Sequence, residues 1–501
     1  MKKSIIIIGA GIAGLSAGCY GQMNGYDTHI YELHDKPGGL CTGWKRKGYE
    51  MDACIHWLVG TKPGSAFNRL WNELGALQGK EIFDPEEFLR FEGSNGKTFV
   101  LYTDVDRLEQ HMLELAPTNV EAIKDFTAGI RTLSRWDVPL LKPREIQTTI
   151  ESLKSLMGML PFIRPLRKYG KISGRDLASR FSDPLLNEAF SNIFDLGDFP
   201  VLFLVMTLVW MNVRDAGYPI GGSLEFARSI ERRYLDLGGE ISYRARVEEI
   251  LVDGGRSAAV RLQDGSEHRG DRIISAADGH ATIFEMLGGK YTDKKLRKRY
   301  REAQLFRPLV QVSLGISADL SGEPNLVSFP LASPIEIAGE TRRRMTVEKK
   351  SLDATLAPPG KSILAVTLLC DYSYWERLYQ DKERYDSEKL RIADIVTREV
   401  ESRFPAIAGH VDVVDIATPV TWYRYTNNWQ GSYQGWLLTT KNVFSSFTRG
   451  MSKTLPGLED FYMIGQWVMP GGGLPPAAQS GRDVIQIICN EDGKVFQPSL
   501  P

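Results

Sequence analysis

Cysteine is scarce in this chain. Cys19, Cys41, Cys54, Cys370 and Cys489 are five in 501 residues, far apart and without a C-x-x-C pair. An odd, scattered set excludes a disulfide scaffold, leaves no zinc-ligand spacing and fits a reducing compartment. Long apolar runs are missing too. The longest, Val201 to Met211, covers 11 residues and is interrupted by Thr207, well short of the ~20 that a bilayer-spanning helix needs. Neither sign of charge is in excess: 61 Lys plus Arg face 62 Asp plus Glu, for a net −1. No global field therefore recruits nucleic acid. Hydrolytic signatures are absent as well. The seven histidines are scattered without H-E-x-x-H, and no G-x-S-x-G elbow or Walker lysine loop is evident. No metal site is expected.

Against these absences stands ample material for a core, with 43% apolar and 25% charged residues, the balance of a globular chain. The length suits about three ordinary domains or two large ones. Met1-Lys2-Lys3 followed by Ile5 to Ile8 imitates the start of a signal peptide. Gly9, Gly11 and Gly14 then cut through what would be its apolar region. A strand–turn–helix reading accounts for them better.

Residues 4–32 read as one βαβ unit. Ser4 to Ile8 is a short β-branched run suited to a strand buried on both faces. A helix follows and stops at Asn24-Gly25, and Thr28 to Glu32 is the next strand. Between the first strand and the helix lies Gly9-Ala10-Gly11-Ile12-Ala13-Gly14. Gly9 permits the tight turn, Gly11 lets backbone approach a pyrophosphate, and Gly14 lets helix and strand pack closely, with phosphates on the helix N-terminus. Glu32 ends the second strand, where a carboxylate accepts ribose hydroxyls and repels a 2′-phosphate. The motif predicts a dinucleotide site. A second G-x-G-x-x-G is missing, so an external electron acceptor or donor is expected rather than a second nucleotide domain.

Further along, residues 65–214 read as mainly helical with few strand signals. Leu153, Leu156, Met157 and Leu160 share one helix face, and Pro161 and Pro165 are expected to break that helix. No acidic residue lies between Glu151 and Asp176, while Lys154, Arg164, Arg167, Lys168, Lys171 and Arg175 do. That composition suits either a solvated basic face or an anionic lipid surface. Gly221-Gly222-Ser223 offers an N-cap to a helix ending at Gly238-Gly239, and Asp253-Gly254-Gly255 and Asp264-Gly265 are hairpin signals. Strands are expected at Val310 to Gly315 and Ser362 to Cys370, and Trp422, Tyr423, Tyr425, Trp429, Tyr433 and Trp436 crowd one short stretch.

Gly38-Gly39-Leu40, soon after the acidic strand and followed by His56-Trp57, resembles the second dinucleotide-contact loop of FAD oxidoreductases with the glutathione-reductase-like fold. Gly217 to Ser223 with the strands from Val247 to Ala277-Asp278 resembles the middle segment of the phytoene desaturase family, which includes retinol saturases and carotenoid isomerases. Gly465-Gln466-Trp467 with Pro470 to Pro475 resembles its closing flavin motif.

The resemblance implies an α/β fold, with a glutathione-reductase-like, Rossmann-type FAD-binding domain interleaved with an α+β substrate domain. Residues 1–75, 215–289 and 440–501 would form the first, and 76–214 and 290–439 the second. It also implies FAD as cofactor. Gly9, Gly11, Ile12, Ala13 and Gly14 would meet the pyrophosphate and Glu32 the adenosine ribose. Gly39, Leu40 and His56 would lie on the flavin side, with Val247 backbone at the adenine. Gly465 and Gln466 would approach the ribityl chain, and the helix start near Leu474 the pyrimidine edge. Leu40 departs from an Arg frequent in relatives, and Gln466 from an Asp. For His56 a purely structural role stays open.

The expected activity is oxidoreduction or isomerisation of carbon–carbon bonds in a lipophilic, polyisoprenoid or carotenoid-like substrate, with no catalytic acid or base identifiable. A flavin amine oxidase and a non-catalytic prenyl-binding escort module are the alternatives. A cytoplasmic enzyme is expected, with peripheral membrane contact as a further expectation.

Overall fold

The computed structural model describes residues 2–193, 197–449, 451–469 and 471–500. Its organising element is a five-stranded parallel sheet in the order Glu240–Ser242, Asp27–Tyr31, Ser4–Ile8, Arg272–Ser275, Phe461–Met463. Three distant stretches of chain thus meet in one sheet. Because all five strands run in parallel, Gly9, Glu32, Ala276 and Gly465 leave it at the same edge, where open α/β sheets bind their ligands.

The isoleucine run shows why this strand is central. Ile5 and Ile7 pack into a core with Leu15, Ala17 and Ile485 of the helices Ile12–Met23 and Leu474–Glu491. Ile6 and Ile8 pack the other way, against Val247 and Val260 of a three-stranded antiparallel sheet. Each fully buried Ile of this kind is worth about 1.5–3 kcal/mol.

A second, seven-stranded sheet has the order Val411–Ala417, Leu309–Ile316, Ser362–Leu369, Glu340–Lys349, Leu326–Ile337, Glu87–Glu92, Thr98–Tyr102. Its two-residue alternation sorts the side chains. Val312, Val347, Leu364 and Val366 pack toward the helix Lys382–Arg403, whereas Gln311, Thr346, Glu348 and Ala365 face a cavity. The last two strands fall where mainly helices were expected. Their apolar residues, Phe88, Leu89, Phe91, Phe99 and Leu101, join the core of the helical region, so tertiary packing claims them as an edge of the sheet.

One further local expectation is corrected. The helix Thr149–Gly170 runs straight through Pro161 and Pro165. Each proline removes one backbone hydrogen bond, but Phe162 and Leu166 pack into the helical core and Phe162 stacks on Trp136 at 5.4 Å. That packing stabilises the continuous helix. The N-cap expected at Gly221-Gly222-Ser223 falls on Gly221, at φ 117°, and Ser223 turns its hydroxyl to Asp52.

Candidate active site

The edge where the parallel strands end opens into one cavity of about 1530 Å³, larger than a typical ligand pocket of roughly 300–1,000 Å³. Gly9, Gly11, Ile12, Ala13, Glu32, Gly39, Leu40, His56, Gly465, Gln466 and Leu474 all line it. Gly14 and Val247 do not. Val247 starts a strand and is buried beneath Ile6 and Ile8.

The glycine turn separates two physical roles. Gly9 sits at φ 99° and donates its N–H to the Tyr31 carbonyl at 2.8 Å. A Cβ on Gly14 would lie 1.9 Å from the Gly9 carbonyl oxygen, so this glycine is required by the protein itself. Gly11 differs. Its backbone is ordinary, φ −67° and ψ 173°, and a Cβ there would meet only the Gly38 carbonyl, at 3.9 Å. Nothing in the protein excludes a side chain at Gly11, so the glycine leaves open space above the turn for a ligand. The helix Ile12–Met23 begins here with no side-chain cap, leaving its first N–H groups for an anion. These features fit a pyrophosphate.

Glu32 is buried and held from two sides, accepting from Ala10 N–H at 2.6 Å and His34 N–H at 2.8 Å. Burial raises its carboxyl above the ordinary value, and the backbone donors pull it back. Gly38 donates to the Ala10 carbonyl at 2.9 Å and forms a bridge with Gly11, which ties the second glycine loop to the first. From the other side Gly465 donates to Ser480 Oγ at 2.8 Å, and Gln466 donates to Asn428 Oδ1 at 3.1 Å. Gly473, at φ 89°, caps the helix Leu474–Glu491 without a side-chain bond.

Beyond this cradle the same cavity is walled by Trp57, Phe88, Phe203, Trp210 and Met211. The helix Leu202–Asn212 brings three of these, while its Leu204, Val205 and Leu208 fill the core behind. The crowded aromatic stretch divides. Trp422, Tyr425 and Tyr433 line the cavity. Trp429 and Trp436 instead pack with Trp467 and Tyr300, ring centroids 4.9 to 6.3 Å apart.

One cluster escaped the sequence. His56 Nδ1 lies 2.8 Å from Glu348 Oε2, and Lys350 Nζ lies 2.7 Å from Glu348 Oε1. Burial alone would raise the Glu348 carboxyl, but His56 and Lys350 bring it down to about 2. Lys350, only 3% exposed, also donates to the Ile55 carbonyl at 3.2 Å. The hydrogen bond to Glu348 fixes the imidazole at the cavity wall, and its Nε2 has no partner among the described residues. Asp278 also lines the cavity. Burial pushes its carboxyl up to about 7, and both its oxygens are occupied by the N–H groups of Ala281 and Trp429, each at 2.8 Å. It anchors the aromatic cluster. No group of side chains suited to a metal ion occurs among the described residues.

A parallel sheet ending at a glycine turn, with a second sheet roofing the cavity, leaves room for a dinucleotide, and the family match makes the chain an FAD-dependent oxidoreductase. The profile of the family described as flavin containing amine oxidoreductase matches residues 12–488, and the chain belongs to that family. It is 25% identical over 503 residues to the chloroplastic prolycopene isomerase of Daucus carota, covering 95% of this chain and 78% of that one. It is likewise 25% identical over 517 residues to a lycopene-forming phytoene desaturase of Paracoccus sp., covering 98% of each. Among solved structures, a redesigned putrescine oxidase triple mutant superposes with a TM-score of 0.63 at 14% identity, covering 98% of this chain and 99% of that one; this likeness concerns the fold.

Proposed function

We propose that the protein rearranges carbon–carbon bonds (by desaturation, saturation or isomerisation) in a long lipophilic polyene of the carotenoid kind. One observation carries this: a single cavity runs from the nucleotide turn at Gly9, Gly11 and Glu32 to the apolar wall of Trp57, Phe203, Trp210 and Met211. Whole-length similarity to a prolycopene isomerase and a phytoene desaturase supports it.

In this reading Gly11, Ile12 and Ala13 hold the pyrophosphate, with Gly14 keeping the helix close enough. Glu32 takes the ribose. Gly39, Leu40, Gly465, Gln466 and the helix start at Leu474 surround the flavin. Bound FAD supplies two-electron exchange with carbon, which side chains alone cannot. The chain's part is alignment and proton handling. The aromatic and aliphatic wall seats an uncharged chain by burial and keeps water out. His56, oriented by Glu348, presents Nε2 as the group that takes a proton from, or returns one to, the carbon next to the reacting one. A small external oxidant or reductant closes the cycle, and the cytoplasm is the expected setting.

The test is an anaerobic flavin spectrum of the purified protein with acyclic polyenes and, separately, with putrescine, each followed by product chromatography. Polyene-dependent spectral change with altered double bonds is the expected result. Flavin reduction by the amine and not by any polyene would move the function to amine oxidation.

A further inference from the structure

Apolar side chains are exposed in one place above all. Ile150, Leu153, Leu156, Met157 and Leu160 are 53% to 68% exposed. They stand at i, i+3, i+6, i+7 and i+10 on the helix Thr149–Gly170, so they form one outward stripe. A soluble surface rarely groups so many large apolar residues without use.

The stripe continues into charge. Arg164, Arg167 and Lys171 fall on the same helical face one to three turns further on, and all are exposed. Together with exposed Lys154 they have no ion pair among the described residues, whereas Lys168 is neutralised by Asp125. The one acid of this helix, Glu151, sits at its start. There it closes a capping box with Thr148 and pairs with Lys142 at 2.6 Å. An apolar tip is thus followed by a cationic collar.

We infer that this face docks onto a bilayer containing anionic lipid, with the stripe from Ile150 to Leu160 entering the interface and Arg164, Arg167 and Lys171 meeting phosphate headgroups. Charge complementarity selects this occupant. A second copy of the chain fits poorly. A parallel pairing of two such helices sets cations against cations, and an antiparallel one centred on the stripe leaves the cationic collar beyond the partner stripe, without a counter-charge from it. Spanning is excluded by length, because eleven helical residues reach about 16 Å against a hydrocarbon core of ~30 Å. The helix therefore lies along the surface.

The docking face is tied to the cavity wall. Just past its end, the Ile172 carbonyl accepts the Val201 N–H at 2.9 Å and Ser173 bridges to Pro200. Val201 leads directly into the helix Leu202–Asn212, whose Phe203, Trp210 and Met211 line the cavity. Docking itself needs neither substrate nor turnover, so it stands apart from the proposed reaction.

Flotation of the FAD-loaded protein with vesicles tests it, comparing phosphatidylcholine–phosphatidylglycerol mixtures with pure phosphatidylcholine, alongside light scattering of the free protein. Binding to the anionic vesicles that weakens with salt is expected. Arg164→Gln with Arg167→Gln should weaken it about 25-fold, each cation near the surface contributing about fivefold. Leu153→Ser with Leu156→Ser should weaken it on the order of tenfold or more. Both variants change only exposed side chains, so flavin content and melting temperature should hold. Failure of the wild type to float with anionic vesicles at low salt overturns the inference. So does undiminished binding by both variants, which would place the contact elsewhere, or a dimer that the Leu→Ser variant dissolves, which would give the stripe to a second copy.

Discussion

Gly11→Val isolates the cofactor from the fold. The Gly11 backbone already lies in the extended region that valine prefers, and the protein offers a Cβ there only one neighbour, the Gly38 carbonyl at 3.9 Å. Folding should therefore be nearly unaffected, within about 1 kcal/mol. The branched side chain instead occupies the approach to the uncapped N–H groups of Ile12 and Ala13. Losing two hydrogen bonds to a charged phosphate, at about 1.5–3 kcal/mol each, weakens flavin binding by a factor of roughly 10² to 10⁴. Gly14→Ala is the contrast. Its Cβ would sit 1.9 Å from the Gly9 carbonyl oxygen, so strand or helix must move at a cost of about 3 kcal/mol or more. The assay pairs the flavin-to-protein absorbance ratio after purification with far-ultraviolet circular dichroism and a thermal melt of apoprotein. Gly11→Val should be colourless and folded, and Gly14→Ala poorly folded. A yellow Gly11→Val protein with stoichiometric flavin, or one that melts as early as Gly14→Ala, would refute the division of roles.

Two further outcomes follow from buried charge. Glu348→Gln leaves Lys350 buried without its counter-ion and should cost about 3–5 kcal/mol, most of it recovered by pairing Glu348→Leu with Lys350→Met. Because the Glu348 carboxyl is depressed to about 2 from 4.5, the wild-type advantage should be full above pH 4.5 and shrink as pH falls toward 2, read as melting temperature against pH. Asp483 behaves oppositely. Burial pushes its carboxyl up to about 7, with Lys453 and Arg482 opposing, and its Oδ1 is buried without a partner. The folded state then holds a proton the unfolded chain has released, so stability falls as pH rises from about 4 to 7 and stays lower above. Asp483→Asn should flatten that decline and melt higher than wild type at pH 8, with the two alike near pH 4; a parallel decline in both would contradict it.

What the sequence determined by itself is local. The glycine turn, the helix behind it and Glu32 lie within 32 residues, and steric rules and strand periodicity act at that range, so this part of the cradle was legible. So were the hairpins at Gly254-Gly255 and Gly265, where turn residues and strand pairing coincide. The same short-range rules misplaced other elements. They read breaks at Pro161 and Pro165, where packing of Phe162 and Leu166 outweighs two lost backbone bonds. They also missed the strands Glu87–Glu92 and Thr98–Tyr102, whose place is decided by a sheet assembled mostly from residues beyond 300. The site divides along the same line. His56 was visible as a candidate, but its partner Glu348 lies 292 residues away, and no spacing encodes that distance. Only the folded sheet, by turning Glu348 to the cavity and Val347 to the core, gives the imidazole its orientation. Propensity acts between neighbours in the chain, whereas burial and ion pairing act between neighbours in space.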